Sequence, residues 1–319
     1  ALRGIVGIGG ANGSTMACGV MRSLPPLLPK IMITPVAATA AVQWYVAQSD
    51  IAMFPTIGDI SRNRITDAIM KNAAYGITAM SRAGGQIKDT IDSHPPLIGV
   101  SSFGNVQITV DRITAALESE GREVIHFHAS GPGGKALESL ARSGELQGII
   151  DLVTSELADV VTGGVYSAGP DRLKSAAAQG LPQIIVPGCL DFSNWWVGEV
   201  PDRYKDRDFY QYNQEILLMR SNAQEFKTLA RMFIDNLSNS AGRFKILIPK
   251  KGFSQMTSFP TQSVTGEIRG QWLQPETDAV FVDTLYKGID QDLIVELDLH
   301  INDAEFAEYA VSALRALME

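Results

Sequence analysis

Short apolar runs rich in Ile and Val alternate with longer stretches of helical period along this chain. The runs fall at residues 4–8, 31–36, 97–100, 123–127, 149–153, 184–186, 245–248 and 293–297. Runs this short, without polar alternation, read as strands covered on both faces, the arrangement of a parallel sheet. Between them, apolar positions spaced three and four apart predict helices over 14–23, 61–82, 106–120, 135–143, 171–179, 222–237 and 304–318. Ser14 and Thr15 offer hydroxyl caps to the first helix. The alternation predicts an α/β fold of two Rossmann-like lobes with mainly parallel sheets. The first lobe has only two or three predicted strands where such sheets have five or six, so an incomplete first lobe lacking an upstream piece is expected.

The best linker is the Gly- and Pro-marked stretch from Ala83-Gly84-Gly85-Gln86 to His94-Pro95-Pro96, dividing the chain into 1–94 and 95–319. With 319 residues, two domains of roughly 150 residues are also the expectation from length. Residues 192–212, rich in Trp, Tyr, Asp and Arg, read as a long surface loop, and Leu217-Leu218-Met219 as core. Internal repeats are absent from the sequence.

Charge narrows the partners. Lys and Arg number 27 against 35 Asp and Glu, a net charge of −8, the wrong balance for holding a nucleic-acid backbone. The two cysteines, Cys18 and Cys189, exclude a disulfide framework and a four-thiolate zinc site, and fit a reducing compartment. No apolar run approaches the ~18 residues of a membrane span. A cytoplasmic protein without membrane or nucleic-acid partners is the expectation.

Two glycine-rich loops carry the chemical signal. In Gly7-Ile8-Gly9-Gly10-Ala11-Asn12-Gly13-Ser14-Thr15, between a strand and a helix, the glycines admit close backbone approach and the helix start offers free N–H groups to an anion. Asn12 occupies the third glycine position of the dinucleotide fingerprint, and no acid ends the next strand, so NAD is disfavoured. In His128-Ala129-Ser130-Gly131-Pro132-Gly133-Gly134-Lys135 the spacing is wrong for a Walker loop and Ala136 replaces the Mg-binding hydroxyl. A generic phosphate or carboxylate cradle with Lys135 as a point charge remains. Tight strand-to-helix turns are the alternative for both loops.

Thr154, Glu156, Gly188 and Asp191 follow strands, where side chains of such sheets face ligands; helix capping explains Thr154 and Glu156 equally well. His126 and His128 alternate on one strand, half of a metal site that Asp298, His300 and Asp303 would have to complete; a hydrogen-bonded histidine is the stronger reading, and no metal is assigned. No Gly-x-Ser-x-Gly elbow is present.

Taken in order, these segments resemble the Tm-one-like ATP-binding domain family, which includes microbial proteins and the inhibitory domain of the tomato mosaic virus resistance protein. The resemblance rests on Gly7-Ile8-Gly9-Gly10 with Gly13 and Thr15, Pro29-Lys30-Ile31-Met32-Ile33, and the segment from Phe127 to Glu138. It continues through Thr154-Ser155-Glu156-Leu157-Ala158-Asp159, Pro187-Gly188-Cys189-Leu190-Asp191, Pro249-Lys250-Lys251-Gly252 and His300-Ile301-Asn302-Asp303. It implies ATP, with or without Mg²⁺, held by the Gly-rich loops near the lobe boundary, and a homodimer. Phosphate contacts would then come from Gly10, Asn12, Gly13, Ser14 and Thr15, and from Ser130, Gly131, Gly133, Gly134 and Lys135. Thr154, Glu156, Gly188 and Asp191 would reach sugar, base or Mg²⁺. The competing expectation is an enzyme acting on a small phosphorylated or carboxylated metabolite, with His128, Glu156 or Asp191 moving protons.

Overall fold

A computed structural model describes residues 2–92, 94–240 and 243–319, with the side chains of 85–92 outside the description. The chain forms two compact units, Ala1–His94 and Pro95–Glu319.

The first unit is a three-stranded parallel sheet in the order β1-β2-β3, with β1 Ile5–Ile8, β2 Lys30–Thr34 and β3 Ala52–Pro55. Helices α1 Ala11–Arg22 and α2 Val42–Val46 intervene, and α3 Arg64–Asp92 follows. The central strand β2 is buried throughout because it is covered on both faces. Met32 packs with Cys18 and Met21 of α1 on one side, and Ile31 and Ile33 pack with Ala73 of α3 on the other. Lys30 is buried with its stem; its ammonium is satisfied by Asp50 at 2.7 Å and by the carbonyls of Pro25 and Leu28. Helix α3 does not stop near Arg82 but continues through Gly84 and Gly85 to Asp92, so the glycines there do not mark a break.

The second unit is a six-stranded parallel sheet in the order β14-β11-β7-β6-β4-β5. Its strands are β4 Leu97–Ser102, β5 Glu123–His128, β6 Gly148–Val153, β7 Gln183–Gly188, β11 Phe244–Pro249 and β14 Ile294–Leu297. Helices α4 Gln107–Ser119, α5 Pro132–Ser143, α6 Glu156–Thr162, α7 Lys174–Gln179, α8 Ala223–Leu237, α9 Pro275–Leu285 and α10 Ala304–Met318 cover it. Successive strand residues serve opposite faces. Ile184, Val186 and Leu247 join the core under α4 and α10, whereas Ile185, Ile246 and Ile248 join the core under α6 to α9. Mixed α/β architecture with parallel sheets is thus the fold of both units.

Residues 192–212 are a surface loop only between 197 and 208. They supply β8 Phe192–Trp196 and β9 Phe209–Gln211, which with β10 Ile216–Arg220, β12 Pro260–Gln262 and β13 Ile268–Gln271 make a five-stranded sheet. Its order is β13-β12-β9-β10-β8, all pairs antiparallel. Three of the seven aromatic residues in this stretch are core: Phe192, Trp195 and Phe209 are buried, as are Leu217, Leu218 and Met219, whereas Trp196 and Tyr212 are exposed.

Candidate functional site

In the six-stranded sheet the chain moves from β4 outward to β5 and then returns to β6 on the other side of β4. Such a reversal opens a crevice beyond the carboxyl ends of the strands, the usual ligand position in open α/β sheets. Segments after β4, β5, β6 and β7 meet there: Phe103 to Val106, Ala129 to Gly131, Thr154 to Glu156 and Cys189 to Asp191.

The second glycine loop is occupied from within. Glu156 Oε1 accepts hydrogen bonds from the N–H of Gly131 at 2.7 Å and of Gly134 at 3.1 Å, where an incoming phosphate would have been cradled. Its other oxygen accepts from Arg172 Nε at 2.7 Å. Gly134 is glycine because a Cβ would stand 1.9 Å from Glu156 Oε2. The loop is therefore shaped around a carboxylate of its own chain. Lys135 is exposed, and Ser130 is half-exposed, with its N–H given to the His128 carbonyl.

Arg172, 1% exposed, ties this carboxylate to two others. It makes a two-pronged pair with Asp151 at 2.7 and 2.9 Å and reaches Glu138 at 3.1 Å. Ser101 Oγ also donates to Asp151, at 2.8 Å, and Glu138 accepts from the N–H groups of Leu173 and Ser175. Burial raises the Glu156 pKa against the pull of Arg172. Burial opposes the charge on Arg172 as well, but Asp151 and Glu156 hold its pKa well above the ordinary value. Three carboxylates around one guanidinium leave the cluster acidic. One helical turn along α6, fully buried Asp159 accepts from the Asn194 N–H and Nδ2 at 2.7 and 2.9 Å. Burial, with a contribution from Glu156, pushes its pKa up to about 7 despite those bonds.

Thr154 and Gly188 are used to join β6 to β7. Thr154 donates its N–H to the Gly188 carbonyl and its hydroxyl to the Val186 carbonyl, both at 3.1 Å. Asp191 Oδ2 accepts from Ser254 Oγ and Trp272 Nε1, each at 2.7 Å, and its Oδ1 has no partner among the described residues. The neighbouring Cys189 thiol is fully buried with its pKa raised by that burial and by Asp191, which makes it a poor nucleophile. His128 is exposed, stacked on Phe103 at 5.2 Å, and desolvation lowers its pKa, leaving the ring neutral at pH 7. His126 Nε2 lies 2.8 Å from Thr114 Oγ1. The histidines of β5 stand at one edge of the sheet, and His300 follows β14 at the other, so the sheet does not bring them together.

The first glycine loop is open. Helix α1 begins at Ala11 with Gly10 as its N-cap and no side-chain cap, leaving the first-turn N–H groups of Ala11, Asn12 and Gly13 for an outside acceptor. A Cβ at Gly10 would meet nothing within 4 Å. Asn12 and Thr15 are exposed, with the Thr15 hydroxyl turned back to the Ala11 carbonyl. Ser14 is neither cap nor ligand donor: it is buried, and its hydroxyl bonds Thr34 Oγ1 at 2.8 Å. Of the two loops, the first leaves its helix start without a side-chain cap among the described residues, whereas in the second Glu156 already accepts the helix N–H groups.

Arg172, Glu138, Asp151, Asp159 and Asn194 received no site role from the sequence, although Glu138 and Asp159 lie in segments that carry the family resemblance. Asp151 carried a signal, since an acid inside Ile149-Ile150-Asp151-Leu152-Val153 must find a buried partner; nothing in the sequence pointed to Arg172 as that partner.

Together the fold and this edge define a doubly wound α/β protein with a polar, largely self-satisfied crevice. Family models of the uncharacterised protein family UPF0261 match both units, the N-terminal domain over residues 1–86 and the C-terminal domain over 95–318. The chain belongs to the UPF0261 family. It is 38% identical over 317 residues to a UPF0261 protein of Rhizobium meliloti, covering 98% of this chain and 76% of that protein. A Clostridium tetani UPF0261 protein is 34% identical over 322 residues, with 100% and 76% covered. The tomato ToMV resistance protein Tm-1(GCR237) is 29% identical over 319 residues, covering 98% of this chain and 41% of the tomato protein. No helix among the described residues is long and apolar enough to cross a membrane.

Proposed function

We propose that the chain binds a phosphorylated small molecule, with ATP, alone or with Mg²⁺, as the ligand that the family resemblance implies. The observation that carries this reading is the uncapped start of α1 behind Gly9 and Gly10, where unpaired N–H groups and the helix dipole favour an anion. Ala11, Asn12 and Gly13 supply the contacts through backbone N–H groups, and Gly10 admits their close approach. The remaining parts of the reading are a cytoplasmic location and a homodimer.

Thermal unfolding with Mg-ATP, ADP and AMP, against organic acids as comparators, tests it. Ligand at about 100 times its dissociation constant stabilises the native state by about 2.7 kcal/mol, a clear rise in Tm. Stabilisation by nucleotides and not by the acids supports the reading, and a folded protein indifferent to every nucleotide removes it.

A second reading, an enzyme moving protons on a small metabolite, is favoured by one observation. The neutral, exposed His128 ring at the crevice is a fit proton acceptor, whereas Glu156 is held by three hydrogen bonds.

A further inference from the structure

Five buried side-chain polar atoms lack a hydrogen-bond partner among the described residues. One, Gln183 Oε1, lies at the start of β7; the other four are Asn105 Nδ2, Ser155 Oγ, Asp191 Oδ1 and Asn194 Oδ1, all on segments leaving the carboxyl ends of β4, β6 and β7. Each of these four residues is at most 3% exposed, so an unmade bond is costly and calls for an explanation. They fall in two linked pairs. Gln255 Nε2 donates to Asn105 Oδ1 at 2.7 Å, and Ser254 beside it donates to Asp191 Oδ2 at 2.7 Å. Asn194 is held by Asp159, whose own N–H returns to the Ser155 carbonyl at 3.2 Å.

We propose that this edge of the second unit binds a neutral polyhydroxylated ligand, a sugar ring, through Asn105, Ser155, Asp191 and Asn194. The orphaned atoms comprise an amide donor, a hydroxyl, an amide acceptor and a carboxylate acceptor. A hydroxyl group donates one bond and accepts two, so adjacent hydroxyls satisfy such a mixed set where a purely accepting anion cannot. Charge points the same way: Arg172 and Arg220 are both committed to carboxylates, Asp151 and Glu156 for the first and Asp278 for the second. An aromatic row runs beside these segments, with His128 on Phe103, Phe103 against Tyr166 at 6.2 Å and Tyr166 against Trp196 at 6.1 Å; its exposed end, Trp196, is suited to the apolar face of a sugar. Entry requires the cover to move. Residues 163–170 form neither helix nor strand, lie against Asn194 through the Val165 N–H, and carry glycines of positive φ, Gly163 and Gly169, near both ends.

The proposal does not rest on phosphate binding by the first unit. The vicinal hydroxyls can belong to a free sugar or to the ribose of a nucleoside. Calorimetric titration of the full chain with D-ribose, D-glucose and adenosine, with inorganic phosphate as comparator, separates these sources. Saturable binding of a free sugar identifies the first, binding of adenosine alone identifies the second, and either supports the site. Ser155→Ala removes only an unpartnered hydroxyl, so its Tm should equal or exceed that of the wild type while sugar affinity falls about tenfold, the worth of one hydrogen bond. Trp196→Ala, at an exposed position, should weaken binding without loss of fold. An Asn12→Asp change in the first unit should leave sugar binding intact, which separates failure of this site from failure of the nucleotide reading. Absence of binding by all three hydroxylated probes to folded wild type, or wild-type affinity in Ser155→Ala, overturns the proposal.

Discussion

The two glycine-rich loops look alike in sequence and differ in what fills them. Each joins a parallel strand to a helix N-terminus, and each would serve a phosphate. Behind Gly131 and Gly134 a carboxylate from the next strand's end already accepts the helix N–H groups, and a buried arginine holds it there. Behind Gly10 no side chain caps the helix. Gly134 in the second loop admits Glu156; in the first, Gly7 and Gly9 admit helix α1 itself, while Gly10 faces open space. A glycine-rich turn therefore reports close approach to its backbone, and only the partner tells whether the approaching group is internal or foreign.

The sharpest contrast lies in stability. Arg172→Leu strands three buried carboxylates and should cost about 3–5 kcal/mol or more in urea unfolding at pH 7, with no counterpart among first-loop substitutions; a loss below about 1 kcal/mol would show the second loop does not depend on this anchor.

pH should separate the loops next. Asp159, one turn beyond Glu156, has its folded pKa raised to about 7 from the ordinary 3.8. The native state then binds more protons than the unfolded chain between those values. The contribution of Asp159 to stability should be greatest below about pH 4, fall by up to about 1.4 kcal/mol per unit as pH rises, and level off above pH 7. Asp159→Asn should flatten that slope in denaturation midpoints measured across the range; an unchanged slope would assign it to other groups.

Glycine replacements bring a smaller effect. Gly134→Ala places a Cβ on Glu156 and should cost about 1–3 kcal/mol, whereas Gly10→Ala, in open space, should cost no more than about 1 kcal/mol. Equal losses would erase the distinction. The smallest effects concern affinity. Asn12→Asp sets like charge against phosphate and should weaken Mg-ATP binding about tenfold, while exposed Lys135→Ala should change it by less than about twofold.

The sequence made the parallel sheets readable because strands covered on both faces are continuously apolar; β6 and β7 are examples. The antiparallel sheet was hidden by brevity and mixed composition: β9 and β12 have three residues each, and β13 is exposed throughout. Helix α6 went unseen because Glu156 and Asp159 are buried with Leu157 and Ala158, which removes the polar stripe that betrays a surface helix. The glycine loops were visible as places of close approach. Their occupants were not, because Glu156 reaches Gly131 across 25 positions and the orphaned atoms of Asn105 and Ser155 are set by packing alone.

The most direct test of the contrast is an amide ¹H–¹⁵N titration of the full chain with Mg-ATP. The account predicts that the Ala11, Asn12 and Gly13 amides shift with saturation while those of Gly131 and Gly134 stay in place. Saturable shifts at Gly131 and Gly134 with none at the start of α1 would contradict it.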